Sequence, residues 1–309
     1  MNRIDKWRGV FVLGCIADAC GHSKGRDVAE YSDDTVLTLS LANAILACNG
    51  KGLSWDAVNV MKLTQEAVIQ DEKRQGLVPF KENRRGYGVK TWKLLQSWSP
   101  ESAHERGTWD SCGLVMKISS LAALEPSLSD VSIAGFYTHG GNTTAVFVAW
   151  LHVQCLRHLF ADRLLTWDQV FIWANANTDP FLHAALSAAK SLLFQENISP
   201  FQKIFNGNGR SKSVVVYICA LWFALPYLNA GKHCGHFEGM LSNLMMCDSL
   251  HDADTIAKLA AELMGARFGW NSLSKRIQAD PALNRFVTKM ERSEDMTRLE
   301  TTAVAIAAM

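Results

Sequence analysis

Residues 32–47, Ser-Asp-Asp-Thr-Val-Leu-Thr-Leu-Ser-Leu-Ala-Asn-Ala-Ile-Leu-Ala, place an acidic tetrad directly before an apolar run. Within the run, Val36, Leu37, Leu41 and Ile45 recur at the spacing of one helical face. Ser and Asp are preferred helix N-caps, and acidic residues in the first turn complement the helix dipole. The stretch therefore predicts a helix that begins at the tetrad, and a cap explains the tetrad when it is taken alone.

The same helical spacing recurs along most of the chain, whereas alternating strand patterns are scarce. Further apolar runs of this kind cover residues 146–159, 182–193, 214–225 and 256–264. Turn-forming stretches rich in Gly and Asn separate helices at 49–52, 140–142 and 206–209. The pattern predicts an all-α, multi-helix globule. We expect residues 291–300, which mix acidic and basic side chains, to face solvent, and residues 301–309 to form either a last packed helix or a loose end.

The composition is that of an ordinary globular protein. Of the 309 residues, 48% are hydrophobic and 20% are charged, and no linker-like stretch divides them, so we expect a single domain over residues 1–309. Lys and Arg total 31 against 30 Asp and Glu, so no overall field would draw the protein to nucleic acid or to an acidic membrane. We expect a monomer, in which any recognition of phosphate is local.

The cysteines and the apolar stretches indicate a cytoplasmic location. Eight cysteines are present without a Cys-x-x-Cys pair, which fits a reducing compartment. The apolar run 10–13 follows two basic residues, but Asp18 and the lack of a small-residue cleavage site argue against a secretory signal. The longest apolar stretch, 214–228, is shorter than the roughly 20 residues of a membrane-spanning helix.

A second acidic cluster, Asp252-Ala253-Asp254-Thr255, also stands directly before an apolar helical run. A helix cap explains this cluster equally well when it is taken alone. Together, the two clusters offer four carboxylates and the hydroxyls of Ser32 and Thr255, an all-oxygen set that suits Mg²⁺ or Mn²⁺ and suits zinc poorly. Because neighbouring carboxylates repel one another unless a cation is bound, the pairing favours a divalent metal site.

Six short motifs in a fixed order carry a resemblance to a known family. They are Gly14–Gly21 (Gly-Cys-Ile-Ala-Asp-Ala-Cys-Gly), Ser32–Thr35, Arg85–Gly88, Ser111–Lys117, Thr138-His139 and Asp252–Ile256. Each motif is weak alone, but their order resembles that of the ADP-ribosylglycohydrolases, which include the dinitrogenase reductase-activating glycohydrolases and the ADP-ribosylarginine and ADP-ribosylserine hydrolases. The resemblance implies a compact, orthogonal all-α fold.

The resemblance also implies two divalent metal ions, usually Mg²⁺ or Mn²⁺, between the two acidic clusters. Their implied ligands are Ser32, Asp33, Asp34, Asp252, Asp254 and Thr255. The ions would orient the hydroxyls of the protein-linked ribose and position a water near the anomeric carbon, and Asp33 or Asp34 would accept the proton of that water. The implied reaction cleaves the bond between ADP-ribose and an Arg or Ser side chain, which reverses mono-ADP-ribosylation.

The remaining motifs would bind the ADP half of the substrate. Gly86 and Gly88 allow backbone amides to approach a diphosphate closely, although Gly-Tyr-Gly is also an ordinary turn sequence. Tyr87 or Trp109 would stack on a ring. His139 would hydrogen-bond a ribose or phosphate, or else it is a hydrogen-bonded turn histidine. The full set of expected substrate-binding residues is Gly86, Tyr87, Gly88, Ser111, Cys112, Gly113 and His139.

Some positions depart from the family pattern. Cys112 stands where the family has Asn, and Lys117 replaces the usual Arg. The segment between Asp18 and Asp33 is short, and Gly25 occupies the position at which the serine-type hydrolases carry a Glu that serves the reaction. Glu30 is the nearest acid that would replace it.

These departures leave an alternative open. The protein would then bind ADP-ribose, or act as an immunity-type antagonist that blocks an ADP-ribosylating toxin by occlusion, with altered or no hydrolase activity. A transferase-like or lyase-like reaction and a different ribosyl or nucleotide substrate are further alternatives. The expected partner is an ADP-ribosylated protein or ADP-ribose in the first case and a toxin in the second.

Overall fold

The computed structural model describes residues 2–23, 30–101, 105–191, 212–229, 235–246 and 252–309. Within these ranges the regular structure is helical and contains no β-strand, which confirms the all-α prediction. The helices are α1 (Arg3–His22), α2 (Asp33–Lys51), α3 (Ala57–Arg74), α4 (Val89–Ser97), a 3₁₀ helix (Val115–Ala123), α5 (Leu128–Ala134), α6 (Thr143–Phe160), α7 (Trp167–Ala174), α8 (Pro180–Ser191), α9 (Lys212–Leu228), α10 (Phe237–Met245), α11 (Ala253–Ala279), α12 (Pro281–Arg292) and α13 (Asp295–Ala307).

Helices α1 and α11 pack against each other more extensively than any other pair of described helices, and they run antiparallel. Near one end, a Cβ on Gly9 would lie 2.7 Å from the carbonyl oxygen of Gly265. At the other end, a Cβ on Gly21 would lie 2.4 Å from the Cα of Asp254. Glycine at these positions lets the backbones touch. The crossing thereby sets the end of α1 against the start of α11.

The remaining helices extend the core on both sides of this pair. Helix α2 packs on α3 and on the 3₁₀ helix, α6 packs on the 3₁₀ helix, and α9 packs on α11. Each predicted apolar run lies in a helix, namely α2, α6, α8, α9 or α11, although residues 192–193 of the run 182–193 lie outside the described ranges. Apolar side chains of all five helices are buried, so the helical spacing identified the interior faces correctly.

Two local predictions were wrong in part. The expected turn at 49–52 begins later, because α2 continues to Lys51 and ends at Gly52, which adopts the left-handed conformation that glycine permits. Residues 291–300 do not simply face solvent. Asp295 and Leu299 are buried, because α13 packs on α1 and α2, and the final segment is a packed helix. The predicted turn at 140–142 is confirmed, and the predicted turn at 206–209 lies outside the described residues.

Across the ranges described, no helix combines the length and the apolarity needed to cross a membrane. The stretch 214–228 forms most of α9, a buried helix with Pro226 in its last turn. The six cysteines in these ranges form no disulfide, and Cys15, Cys155 and Cys219 are buried in the core. Cys234 and Cys247 lie outside the described residues.

Candidate functional site

The turn that carries the first acidic cluster is held by Asp18 of α1. The Asp18 carboxylate is fully buried and accepts hydrogen bonds from the Ser32 hydroxyl at 2.6 Å and the Thr35 hydroxyl at 2.5 Å. It also accepts from the backbone N–H groups of Ser32 and Thr35, each at 3.1 Å. Both carboxylate oxygens are therefore engaged, and Asp18 acts by fixing the Ser32–Thr35 turn. The sequence prediction did not include Asp18 in the site, although it lies in the first motif.

The cap interpretation and the site interpretation are both compatible with the first cluster. Ser32 is the N-cap of α2, and its hydroxyl oxygen accepts from the Asp34 N–H at 3.2 Å. The Asp33 N–H donates to the Arg85 carbonyl at 2.9 Å. Asp34 is 3% exposed, and its Oδ2 has no hydrogen-bond partner. A buried carboxylate oxygen without a hydrogen-bond donor is energetically costly. The role of a helix cap does not explain this cost, whereas a bound cation would offset it.

The second cluster does not behave as a cap. Asp252 occupies the N-cap position of α11 with φ 69° and ψ 41°, and its side chain makes no capping hydrogen bond. Its carboxylate instead accepts from the Cys112 thiol at 2.8 Å and from the Thr255 hydroxyl at 3.4 Å. A left-handed non-glycine residue costs about 1–3 kcal/mol and is common at functional sites. The Asp254 carboxylate accepts from the Thr255 N–H at 3.0 Å.

The two clusters face one another in one electronegative region. Burial raises the pKa values of Asp33 and Asp34 well above the carboxyl range, and the charges of Asp18 and Asp254 raise them further. The opposing charge that acts on Asp34 comes from Lys258, one turn beyond Asp254. A cation at this place would relieve the repulsion between the carboxylates.

The side chains of the two acidic clusters suit the metal ions that the sequence predicts. All predicted ligands offer oxygen, which suits a hard divalent cation. Asp34 Oδ2 has no hydrogen-bond partner and is therefore free to coordinate an ion. Within the described part of the chain, no three His, Cys, Asp or Glu side chains are grouped closely enough to hold an ion by themselves. Hydroxyl groups and water would therefore complete the coordination, as is common for Mg²⁺. The residues fit the predicted ions by chemistry.

The Arg85–Gly88 loop lies beside the first cluster. The Arg85 guanidinium donates to the Tyr31 carbonyl at 2.9 Å, lies 4.2 Å from the centre of the Tyr31 ring, and pairs with Asp71 at 3.4 Å. Since the Arg85 carbonyl also accepts from Asp33, this residue holds residues 31–33 from two sides. The sequence prediction missed this role of Arg85, because its contacts with Tyr31 and Asp33 join residues that are far apart in the chain.

Within this loop, the glycines and Tyr87 have different surroundings. Gly86 and Gly88 are exposed, and Gly86 has φ 84°, which favours glycine. A Cβ on Gly86 would lie 3.4 Å from His22 Cε1, which places the loop against the end of α1. Tyr87 is buried, and its ring stacks on Trp92 with centroids 5.4 Å apart. Tyr87 therefore anchors the loop from the interior, and the glycines present backbone to solvent.

The Ser111–Gly113 loop connects the second cluster to a buried histidine. Cys112 donates to Asp252, and the Ser111 hydroxyl lies 2.7 Å from His139 Nε2. Burial lowers the pKa of His139 to about 3, with a further contribution from the charge of Lys117, so the imidazole is neutral. A Cβ on Gly113 would lie 2.8 Å from His139 Cε1. His139 thus supports the Ser111–Gly113 loop from the protein interior. Its contact with a ligand stays a prediction.

A chain of buried polar groups lies beneath the first cluster. The Thr38 hydroxyl is 2.7 Å from the Asp34 carbonyl and 3.0 Å from the Met116 carbonyl. The Lys258 ammonium donates to the same Met116 carbonyl at 2.6 Å and forms an ion pair with Glu262. These contacts connect the backbone of Asp34 with the interior of α11.

The same chain continues from Glu262 into α6 and the 3₁₀ helix. The Glu262 carboxylate accepts from Ser119 at 2.5 Å and lies 2.9 Å from His152 Nε2. Burial alone would raise the pKa of Glu262, but the charge of Lys258 and the hydrogen bond with His152 outweigh it, and the pKa is lowered. The sequence prediction missed these residues. A Lys and a Glu inside the apolar run 256–264 were the sequence feature that indicated a buried ion pair.

Glu30 does not stand alone beside the acidic clusters. Its carboxylate pairs with Lys289 of α12 at 3.1 Å, and both side chains are partly exposed. Gly25, where the serine-type hydrolases have their Glu, lies outside the described residues. The replacement of that Glu by Glu30 stays a prediction.

Two comparisons with known proteins bear on the whole chain. The model of the family described as ADP-ribosylglycohydrolase matches residues 1–301. This span contains all six motifs and every residue of the candidate site. No curated protein matches the chain.

Proposed function

The chain belongs to the ADP-ribosylglycohydrolase family, and from this premise we propose that it uses divalent metal ions to hydrolyse the bond between ADP-ribose and a protein side chain. Family membership indicates glycohydrolase activity in general. The specific proposal is that the linkage is to Arg or Ser, that the ions are Mg²⁺ or Mn²⁺, and that the reaction reverses mono-ADP-ribosylation.

The meeting of the two acidic clusters is the observation that carries this proposal. Asp18 fixes the turn of the first cluster through both of its carboxylate oxygens. Three residues further along α1, Gly21 brings that helix into backbone contact with Asp254 of the second cluster. Clusters 220 residues apart in sequence are thus held in one region, where their charges act on each other. Two independent helix caps would not require this arrangement.

The predicted metal ligands would divide between the two helix starts. Ser32, Asp33 and Asp34 offer oxygens from α2, and Asp252, Asp254 and Thr255 offer oxygens from α11. When bound, ions at this place would supply Lewis-acid chemistry, by orienting the ribose hydroxyls and lowering the pKa of a nearby water.

Proton transfer falls to the first cluster. Either Asp33 or Asp34 would accept a proton from the attacking water, while the side-chain leaving group departs from the anomeric carbon. Burial and like charges raise the pKa of both carboxyl groups, and bound cations would counteract this shift and keep a carboxylate available to accept the proton. Asp18 has no free carboxylate oxygen for this step, so its role is to position the turn.

The ADP half would bind along the two glycine-containing loops. The exposed backbone at Gly86 and Gly88 offers N–H groups to a diphosphate, and buried Tyr87 keeps that backbone in place. Ser111 and Gly113 lie on the other loop, which His139 supports. A surface that such contacts hold in place before binding reduces the entropy lost when the ligand binds.

Asp254→Asn tests the proposal, with Glu66→Gln, an exposed carboxylate on α3, as the matched control. The wild type and the control should release ADP-ribose from an Arg-linked or a Ser-linked protein in Mg²⁺ or Mn²⁺, and chelation should stop the release. Asp254→Asn should lower the rate by at least about 100-fold, since each metal-site group contributes several kcal/mol. Failure of the wild type on both linkages, with either ion, would refute the proposed reaction.

Binding without turnover is a second candidate, and the position of Glu30 favours it. The nearest acid to the short loop is paired with Lys289, so it is not held ready as a substitute for the missing Glu. The protein would then bind ADP-ribose or occlude an ADP-ribosylating toxin. Protection of a target protein that persists in Asp254→Asn would support this candidate. Loss of protection together with loss of hydrolysis would exclude it.

A further inference from the structure

A small cavity lies between α2, α3, α4 and the 3₁₀ helix, next to the Ser111–Gly113 loop. Its volume is about 20 Å³, which is enough for one water-sized group. The apolar side chains in its wall are Leu37, Met61, Leu94 and Leu95. The polar residues that line it are Thr64, Thr91, Lys117, Thr138 and His139.

Lys117 is the unusual residue in this wall. Its side chain is 8% exposed, and its ammonium group has no hydrogen bond or ion pair with any described residue. Two other buried lysines in the described structure are fully partnered. Lys6 donates to two carbonyls and pairs with Asp162, and Lys258 donates to a carbonyl and pairs with Glu262. Lys117 differs from both, because no described group balances its charge; its Nζ is not among the fully buried unpartnered atoms, so the ammonium keeps contact with water that an anion would displace.

His139, which also lines the cavity, has a buried nitrogen without a partner. Its Nδ1 is buried and has no hydrogen-bond partner. When the Ser111 hydroxyl donates to Nε2, the imidazole hydrogen is on Nδ1, which makes that atom a donor. The charge of Lys117 acts on His139 strongly enough to contribute to the lowering of its pKa, so the two groups are close. The buried imidazole N–H lacks an acceptor, and no described group balances the charge of the ammonium.

We propose that this cavity binds one small monovalent anion of halide size, with the Lys117 ammonium as its cationic partner and His139 as a hydrogen-bond donor. The volume admits a single water-sized group, which excludes a phosphate or a nucleotide. The anion is therefore distinct from the substrate of the proposed function, and the two proposals stand or fall separately. Because His139 also supports Ser111, the bound anion would stabilise the Ser111–Gly113 loop.

Bromide provides a direct test. Crystals of the wild-type protein grown in sodium bromide should show an anomalous peak in contact with Lys117 Nζ. Crystals of Lys117→Met should lack that peak, and crystals of Lys93→Met, which removes an exposed lysine of α4, should retain it. A wild-type cavity that contains only water, or a Lys117 side chain turned toward another acceptor, would overturn the proposal. The wild-type result does not depend on whether the variant folds.

Thermal unfolding gives a second measurement in solution. At equal ionic strength, replacing isethionate with chloride should raise the Tm of the wild type and of Lys93→Met by on the order of 2 °C, because chloride binds only the folded state. Lys117→Met should show no such rise. Equal responses of all three proteins to chloride would overturn the proposal.

Discussion

Gly21 at the end of α1 touches the backbone of Asp254 at the start of α11. A Cβ on Gly21 would lie 2.4 Å from the Cα and 2.6 Å from the nitrogen of Asp254. Backbone atoms cannot move aside as the end of a flexible side chain can. The separation of the two acidic clusters therefore depends on the absence of a side chain at residue 21.

Gly21→Ala should push the two helices apart at the site. We expect the free energy of unfolding to fall by about 1–3 kcal/mol, the usual cost of overpacking, and Mg²⁺ affinity to fall more than stability alone explains. Gly50→Ala is the control, since nothing lies within 4 Å of a Cβ on this exposed glycine of α2. It should stabilise the protein by about 0.5–1 kcal/mol. Urea unfolding measures the change in stability, and Mg²⁺ titration measures the change in affinity. Equal effects of the two variants would contradict the close approach of Gly21 to Asp254.

The hydroxyl of Thr35 tests the role of Asp18. Thr35→Val keeps the shape of the side chain but removes the donor to a buried carboxylate, which should cost about 1.5–3 kcal/mol of unfolding free energy. Thr35→Ser keeps the donor and should cost less. If the turn orients Asp33 and Asp34, Thr35→Val should also weaken Mg²⁺ binding. Similar behaviour of Val and Ser at this position would show that Asp18 does not hold the turn through its hydroxyl partner.

Much of the fold could be predicted from the sequence, because buried helices carry a local signal. The apolar spacing identified α2, α6, α8, α9 and α11. The segment 291–300 was misjudged, since a mixed charge pattern is typical of exposed helices. The buried Asp295 pairs with Arg74 of α3, a contact that no local pattern records.

The site was predictable only as a set of motifs. Ser32, Asp33 and Asp34 were proposed as ligands because their residue types suit a metal ion and because of the family resemblance, and that role stays a prediction. Asp18 and Arg85 act through distant contacts, with Thr35 and Tyr31 respectively, and a sequence does not report such contacts. Supporting residues of this kind become visible only when the helices are packed.

The buried His139 should make the protein sensitive to acid. Its pKa of about 3 in the folded state lies below the value near 6.5 in an unfolded chain. Between these values the unfolded chain binds a proton that the folded protein excludes. The contribution of His139 to stability is therefore complete above pH 6.5 and is lost as the pH falls toward 3.

His139→Gln should flatten this part of the pH profile. The unfolding free energy of the wild type should fall more steeply than that of His139→Gln as the pH is lowered from 6.5 to 4, as urea denaturation would show. His158→Gln, which changes a partly exposed histidine of α6, should keep the wild-type slope. Parallel profiles for the wild type and His139→Gln would mean that the folded protein accepts the proton.

Loss of one partner of the buried Lys258–Glu262 ion pair should lower the free energy of unfolding far more than loss of one partner of a surface ion pair. Lys258→Met leaves a buried carboxylate without its cation and should lower the unfolding free energy by about 3–5 kcal/mol. Lys190→Met, which breaks an exposed pair with Asp168, should change it by less than about 1 kcal/mol.

A double variant separates charge from packing at this pair. Glu262→Gln keeps an acceptor for Ser119 and His152 but removes the charge. Combined with Lys258→Met, it should cost less than the sum of the two single changes by about 0.5–3 kcal/mol, because no unpaired charge remains. Additive effects would show that each residue contributes through packing alone.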